Sequence, residues 1–548
     1  MNAKRVLKCL ISLLLIGAML LLSSCSLITQ AILKNKGYYT EYGLRGECAD
    51  QYSPEHEKEA LRLIEEMELL VLKNDPKKGT ELTSLYERAE DTVYVIMDHS
   101  NLVYVEFCLD PQNEALFEEH TRLSGLVTDT IAKIYALYGK IYESALSESF
   151  YADWEEEDLK EALELSKTYT GAFAKLKKER DELVASYEQL DRNSSSFLKE
   201  SAKYYEAIVS KNKELAALAG AESYSAYADA SIYDRDFDGE QIDAFSSYVS
   251  KYLVPLAREL LESLMTPSIF TLQNEMSMLT GYDLSFNLMK EKLTPYYEEL
   301  GEEYSSAFSE FTSSVYTSKS SSSSPVAFTA YQDGANKAIC YFGPGYQNLS
   351  TYTHELGHYI AFSFSKCAIS SVDLCEVHSQ GNEWLYLSYS RQFYKAEFYE
   401  KLTSYYLLNQ MATMILACCC DLFERTVYQE ENLTSEDYDD VFLQCIKDLG
   451  AYDFLKSYLG NDLTSYWHHA IVSNSMYYLS YAVSLIPALE LFLIAESSGL
   501  SKASAVYKKL STVESDAAFL NTVVSATLRS PFEEEIFAEI YHHFSTSR

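Results

Sequence analysis

The sequence predicts a mainly α-helical protein with one small β-hairpin. Only 20 Gly and 10 Pro occur among 548 residues, and this scarcity favours long helices over a turn-rich β architecture. Apolar residues recur at spacings of three, four and seven with charged residues between them, which is typical of amphipathic helices. The clearest such stripe consists of Tyr169, Phe173, Leu176, Leu183, Tyr187 and Leu190. A hydrophobic share of 47% is sufficient for a large core.

The formal net charge of −36 bears on the class of partner. A chain this acidic is not expected to bind nucleic acid, which requires a basic surface. We interpret the charge as a source of solubility rather than as an attraction for cationic substrates. The 11 Cys match no structural zinc spacing, and we interpret those beyond residue 25 as small buried apolar residues rather than redox groups.

Residues 1–24 have the pattern of a secretory leader, with a basic start and an apolar run from Leu10 to Leu22. The run ends in Leu22-Ser23-Ser24-Cys25, which resembles a bacterial lipobox. That resemblance implies cleavage before Cys25 and acylation of its thiol, hence an extracytoplasmic protein anchored to the bacterial cell membrane. A plain signal peptide and an anchor helix are the alternatives.

The rest of the chain divides by pattern into three parts. Residues 25–60 are expected to form a tether, 61–204 an N-terminal helical region and 205–548 the catalytic region. A helix break is predicted at residues 191–196, and Gly220 is expected to end a helix as a C-cap. The apolar segment Tyr405–Phe423 contains Asn409 and Gln410, so we predict a core helix rather than a membrane span.

The β-hairpin is predicted from two short β-prone runs, Val326–Tyr331 and Lys337–Phe342, joined by a turn at Asp333-Gly334. The Ser-rich segment before it, from Ser313 to Pro325, is expected to be a flexible loop. Because the hairpin ends shortly before the motif described next, its edge could hold an extended peptide by backbone hydrogen bonds. A purely structural hairpin is the alternative.

The strongest chemical signal is the segment His354-Glu355-Leu356-Gly357-His358. Histidines at i and i+4 lie on one helix face, where they can hold one Zn²⁺, and the intervening glutamate then points to the open side of the metal. A third ligand is available at Glu376, within the segment Asp373 to Glu383. Three protein ligands leave the fourth zinc position to water, as catalytic zinc requires. Surface histidines next to an ordinary acidic helix are the alternative.

A later segment combines Trp467-His468-His469 with tyrosines at 477, 478 and 481. Hydrolysis of a peptide bond generates an oxyanion, and tyrosine hydroxyls or a histidine can donate hydrogen bonds to it. In a chain with 46 Tyr, a role in the core is the alternative.

Taken together, these motifs resemble the thimet oligopeptidase and oligoendopeptidase F family of zinc metallopeptidases, over roughly residues 205 to 548. The resemblance implies a mainly α, two-lobed multi-helical metallopeptidase with a deep channel and a small β-sheet beside the zinc site. It implies one zinc ion per chain, held by His354, His358 and Glu376. The general base falls on Glu355, and the transition-state donors fall on His469 and Tyr481.

The sequence departs from the family pattern at several positions, which keeps alternatives open. His468 is the alternative to His469, and Tyr478 is the alternative to Tyr481. His378 stands where the family often has Pro, so it could add a hydrogen bond or alter specificity. Glu383 either orients a ligand histidine or lies on the surface.

The expected function is a zinc-dependent endopeptidase that hydrolyses short peptides, an oligopeptidase at the outer face of a bacterial membrane. We expect a monomer. The alternative function is a non-catalytic peptide-binding lipoprotein, against which the intact Glu355 argues, since binding alone needs no general base.

Overall fold

The computed structural model describes residues 51–546, except 155, 169, 193, 265–282, 319 and 321. The predicted leader, the lipobox with Cys25 and most of the predicted tether therefore lie outside the described residues. The first helix of the described residues begins at Pro54, earlier than the predicted end of the tether at residue 60. Pro at the first position and the bond from the Ser53 backbone N–H to His56 Nδ1 (3.0 Å) explain the earlier start.

The first five described helices pack around two small apolar cores. They are α1 (Pro54–Lys73), α2 (Gly79–Leu109), α3 (Glu114–Tyr142), α4 (Ser147–Phe150) and α5 (Glu156–Thr168). The next two helices are α6 (Gly171–Glu188) and α7 (Phe197–Ala219). The predicted break at 191–196 lies between these two, and Gly220 ends α7 with φ 75°, so both predictions are confirmed. The boundary predicted at 204/205 falls within α7, whose buried face joins the large C-terminal core.

The remaining helices surround one extensive core that runs from Tyr187 to Phe544. Before the sheet lie α8 (Tyr224–Ser231), α9 (Gly239–Tyr248), α10 (Val254–Leu264), α11 (Phe286–Leu300) and α12 (Glu302–Phe311). After it lie α13 (Leu349–Ser365), α14 (Val372–Ser390), α15 (Ala396–Gln429), α16 (Tyr438–Asp448), α17 (Tyr452–Leu459), α18 (Ser465–Ala470), α19 (Leu479–Val483), α20 (Leu485–Ser498), α21 (Leu500–Leu510), α22 (Phe519–Ser525) and α23 (Glu534–Thr546). The predicted mainly helical fold class is confirmed.

Within the described residues, two stretches are long and apolar enough to cross a membrane, Ala396–Gln429 and Leu479–Ser498. In each, most of the apolar window is buried inside the protein, 78% and 83% respectively, as in a core helix. The buried faces of α15 include Cys418, Cys419 and Cys420, and all cysteines of the described residues are free thiols.

The sheet has three strands, β1 (Val315–Thr317), β2 (Ala327–Gln332) and β3 (Lys337–Phe342), in the order β1-β3-β2. Strands β2 and β3 form the predicted hairpin, with Thr329 opposite Cys340. The short parallel strand β1 lies within the Ser-rich segment, where only a loop was predicted. Its β-prone residues Val-Tyr-Thr pair with β3, and this long-range partner is absent from the local sequence signal.

The hairpin is attached to the N-terminal region through α2. Val105 and Cys108 of α2 pack against Tyr316, Ile339 and Tyr341 of the sheet, and the Tyr341 hydroxyl donates to the Cys108 carbonyl at 2.9 Å. These contacts fix the position of β2 and β3, and therefore of the surface that faces α13.

Asp98 of α2 forms a second attachment, because its Oδ2 accepts a hydrogen bond from the Ala335 N–H of the hairpin turn at 3.0 Å. Burial raises the pKa of Asp98 to about 7, and its Oδ1 has no partner among the described residues. The folded state therefore binds a proton that the unfolded chain releases near pH 4, so stability falls as the pH rises from about 4 to about 7.

We expect Asp98→Asn to remove this pH dependence while keeping an oxygen for the Ala335 N–H. The free energy of unfolding of the wild type should fall relative to that of the variant by on the order of 1–4 kcal/mol between pH 4 and pH 7. Denaturant unfolding of both proteins at a series of pH values measures the difference. Parallel pH profiles would contradict the prediction.

Candidate metal centre and active site

The candidate site lies where α13 crosses α14 beneath the sheet. Asn348 caps α13 by accepting a hydrogen bond from the Thr351 N–H at 3.0 Å, and Ser371 caps α14 in the same way through the Leu374 N–H at 3.3 Å. The two helices approach closely at Gly357. A Cβ at this position would lie 2.4 Å from the carbonyl oxygen of His378, so only glycine fits.

This crossing brings together His354 and His358 of α13 and Glu376 of α14. One ligand atom of each lies within 4.8 Å of the others. His354 Nε2 is 3.7 Å from Glu376 Oε2, and two ligand atoms on one tetrahedral zinc lie roughly 3.4 Å apart, given bonds of about 2.1 Å. Two imidazoles and a carboxylate form a donor set that suits zinc. These residues therefore fit a metal ion.

The electrostatics of the site also favour a cation. Burial raises the pKa values of Glu355 and Glu376. Burial alone would lower the pKa of His354, but the hydrogen bond and charge of Glu383, with the charges of Glu376 and Glu355, raise it to about 10. Burial lowers the pKa of His358 well below its usual value, which keeps that ring neutral. The buried carboxylates thus favour a positive charge at His354, and a metal cation bound to its ring would take the place of the proton there.

Each ligand is held by a further hydrogen bond. His354 Nδ1 donates to Glu383 Oε1 at 2.8 Å, which leaves Nε2 free to face the metal. Glu383 Oε2 accepts from the hydroxyls of Ser350, at 2.7 Å, and Tyr406. Glu383 therefore orients His354 rather than lying on the surface. Its partner Tyr406 lies on α15, far along the chain, and sequence reasoning did not single it out.

Glu355 points toward the sheet. The Thr329 hydroxyl of β2 donates to Glu355 Oε2 at 2.6 Å and fixes the carboxylate. Sequence reasoning predicted the hairpin but missed this contact, because the only local signal was a Thr in a strand.

The tyrosines of residues 477–481 reach the site through Tyr477, which the sequence grouped with Tyr481 but to which it assigned no role. The Tyr477 hydroxyl lies 3.3 Å from Glu376 Oε1 and 3.4 Å from the Tyr481 hydroxyl. Burial, followed by the charge of Glu376, raises the pKa values of both tyrosines, so both remain protonated donors. The ring of Tyr478 packs between those of Tyr466, Tyr477 and Tyr481.

The two histidines of the late motif lie elsewhere. His468 is buried, with its ring nitrogens 2.7 Å from Ser201 Oγ and 3.1 Å from Asp439 Oδ1. His469 stacks on Phe197 with the ring centres 4.6 Å apart. Within the described part of the chain, neither ring is hydrogen-bonded to the candidate metal ligands His354, His358 and Glu376. The role predicted for His469 therefore stays a prediction.

His378 is buried between helices and does not face the space around the candidate metal ligands. Its side chain is fully buried, and Nε2 donates to the Leu510 carbonyl at 2.8 Å. The Tyr507 hydroxyl donates to the His378 carbonyl at 2.7 Å. These bonds tie α14 to the end of α21.

The fold and the grouping of His354, His358 and Glu376 define the class, a multi-helical protein with a candidate metal centre. The solved structures that share the fold include the following three. One is described as an oligoendopeptidase F from Bacillus anthracis (16% identity, TM-score 0.65, covering 92% of this chain and 98% of that one). PZ peptidase A with an inhibitor gives the same values. Oligoendopeptidase F from Enterococcus faecium has 14% identity and a TM-score of 0.55, with 90% and 97% covered. No protein-family model and no curated protein matches the chain.

Proposed function

We propose that this chain is a zinc-dependent endopeptidase that hydrolyses short peptides. One observation carries the proposal, the convergence of His354, His358 and Glu376 within 4.8 Å with Glu355 on the same helix. The likeness of the fold to structures named oligoendopeptidase F and PZ peptidase A supports it. We further propose that the protein acts outside the cytoplasm, as a monomer anchored through acylated Cys25. The leader pattern of the sequence supports this location.

His354, His358 and Glu376 would hold the zinc ion. When bound, zinc lowers the pKa of a water molecule and polarises a carbonyl group. Glu355 takes a proton from the attacking water and passes it to the nitrogen of the leaving amine. Thr329 holds the Glu355 carboxylate in place for both transfers. The hydroxyls of Tyr477 and Tyr481 donate hydrogen bonds to the oxyanion that forms on the carbonyl oxygen.

Strand β2 supplies a binding surface for the substrate. In the described residues it pairs only with β3, so its second edge presents backbone groups to an extended peptide. Thr329 lies on this strand, which places the proposed peptide beside Glu355. The two-lobed channel implied by the family resemblance would exclude folded proteins and restrict the enzyme to short peptides.

Mass spectrometry of a peptide library, digested with and without a chelator, tests the proposed function together with a measurement of metal content. We expect about one zinc per chain, cleavage at internal peptide bonds, loss of cleavage with the chelator and recovery on adding zinc. Zinc binding with peptide binding and no cleavage would instead establish the non-catalytic lipoprotein. A chain that binds no metal would overturn the proposed zinc peptidase.

The contact between Thr329 and Glu355 gives a separate prediction. Thr329→Val keeps the shape of the side chain but removes the donor, and a hydrogen bond to a charged group contributes about 1.5–3 kcal/mol. We therefore expect kcat on a quenched fluorescent peptide to fall about 10-fold or more, with KM and zinc content little changed. Thr329→Ser keeps the hydroxyl and serves as the control. A valine variant with the wild-type kcat would refute this role of Thr329.

A further inference from the structure

Arg235 connects the helix that carries Glu376 to the segment that carries the two tyrosines. Its side chain is completely buried, and its guanidinium has four polar contacts. Nη1 donates to Asp229 Oδ1 at 2.6 Å, and Nε lies 3.4 Å from Asp373 Oδ2. Nη2 donates to the Met476 carbonyl at 3.0 Å and to Ser480 Oγ at 3.2 Å.

On the side of α14, Arg235 pairs with Asp373, which lies one turn before Glu376. The Asp373 side chain is 1% exposed, so its carboxylate needs a nearby positive charge. The planar fork of a guanidinium can meet this carboxylate with one nitrogen and a backbone carbonyl with another, which a lysine ammonium cannot do in the same geometry.

On the other side, the contacts of Arg235 flank the tyrosines. Met476 directly precedes Tyr477, and Ser480 directly precedes Tyr481. Met476 has a positive φ of 63°, a backbone conformation that surrounding contacts must hold in place. Glu424 accepts a hydrogen bond from the Met476 N–H at 2.8 Å, so this residue is fixed through both its N–H and its carbonyl.

A second arginine, Arg425, shares Asp229 with Arg235 and allows a comparison. It separates a role in stability from a role in positioning the site. Arg425 also binds Asp229, at 2.9 Å, and its second partner is Asp421 on its own helix. Among the described contacts, Arg425 reaches no residue of the tyrosine segment. Arg425 shares Asp229 with Arg235 but makes no direct link to the tyrosine segment, whereas Arg235 joins two parts of the site.

We propose that Arg235 is a positioning residue that holds Tyr477 and Tyr481 in place relative to Glu376. This inference rests on the proposed peptidase function. Arg235 touches no reacting atom, and it acts by fixing the backbone on either side of the tyrosine hydroxyls that stabilise the oxyanion. Loss of the contacts that Arg235 makes with Asp373, Met476 and Ser480 leaves the metal ligands in place. It removes the alignment of the two tyrosine hydroxyls with the oxyanion.

The kinetic test is a double-mutant cycle on the full chain with a quenched fluorescent peptide. We expect Arg235→Lys to lower kcat about 10- to 100-fold, with KM within about twofold of the wild type and zinc content unchanged. Ser480→Ala is a small change that removes the hydrogen bond from Arg235 Nη2 to Ser480 Oγ. It should lower kcat about 3-fold or more. In a Tyr477→Phe/Tyr481→Phe background, Arg235→Lys should cost less than about a further twofold, because the groups it positions are gone.

Arg425→Lys is the matched control and should lower kcat by less than about threefold. Equal losses for Arg235→Lys and Arg425→Lys, or the same factor for Arg235→Lys with and without the tyrosines, would overturn the proposal. Unchanged kcat in Ser480→Ala would also overturn it, and this variant remains informative if Arg235→Lys does not fold.

Hydrogen exchange provides a readout that does not depend on cleavage. Amides of residues 474–484 should lose protection in Arg235→Lys and Ser480→Ala but not in Arg425→Lys. A wild-type protein that cleaves no peptide overturns the proposed function alone. Unchanged protection of residues 474–484 in both Arg235→Lys and Ser480→Ala overturns the positioning role of Arg235 alone.

Discussion

Glu355→Gln is expected to bind zinc like the wild type and to cleave peptides about 100 to 10,000 times more slowly. The amide is nearly isosteric and can still pack beside Thr329, but it cannot accept the proton of the attacking water, and general base catalysis contributes about 10²- to 10⁴-fold. Turnover of a quenched fluorescent peptide and metal analysis of the same preparation measure the two effects separately.

A matched control exists in Glu490, a buried carboxylate that binds the Arg529 side chain at 2.7 Å. Glu490→Gln makes the same chemical change in the core away from the metal group, and we expect it to retain at least about half of the wild-type kcat. Wild-type turnover in Glu355→Gln would exclude Glu355 as the general base. Loss of zinc from that variant would show that the carboxylate acts on the metal instead.

Gly357→Ala is expected to have the largest effect on the integrity of the site. The added methyl group would lie 2.4 Å from the His378 carbonyl oxygen and 2.6 Å from Ser379 Cα, and both are backbone atoms that cannot rotate away. The two helices must separate, which moves His354 and His358 of one away from Glu376 of the other. We expect a loss of about 2–4 kcal/mol of stability and a fall of about 10-fold or more in zinc affinity.

Unfolding with excess chelator measures the packing effect alone, and competition with a zinc-binding dye measures the affinity. Gly125 provides the control, since it lies within α3 and a Cβ there meets no atom within 4 Å. Gly125→Ala should be neutral or raise stability by up to about 1 kcal/mol, because alanine is the better helix former. Equal behaviour of the two variants would show that the helices tolerate separation at residue 357.

The sequence predicted those parts of the site that depend on local geometry. The i, i+4 spacing of His354 and His358 places them on one helix face, and the β-prone runs on both sides of Asp333-Gly334 predict the hairpin. It could not predict strand β1, because a three-residue strand exists only through its pairing with β3. The hairpin was predictable and β1 was not, because the two hairpin strands are neighbours in sequence. Local periodicity carries no information about a partner strand that lies farther along the chain.

The late motif illustrates the same limit within the candidate site. Helical spacing grouped Tyr477 with Tyr481 correctly, and the two hydroxyls lie 3.4 Å apart. The sequence nevertheless favoured Tyr481 and left Tyr477 unassigned, although Tyr477 has the direct contact with Glu376. That contact depends on how the segment is anchored by Arg235 and Glu424, which lie about 240 and 50 residues away along the chain.

By itself the sequence determined the helical fold class, the hairpin and the placement of His354 and His358 on one helix face, because each follows from residue types at fixed short spacings. Glu376 was a candidate third ligand on a later segment, and the packing of α14 on α13 brings it beside the two histidines. Only the tertiary structure decided that Glu383 and Tyr406 orient His354, that Thr329 holds Glu355, and that Arg235 joins the tyrosines to the metal helix. These contacts unite side chains distant in sequence, and their distances depend on how closely whole helices pack. At the crossing of α13 and α14 that closeness depends on the absence of a single methyl group at Gly357.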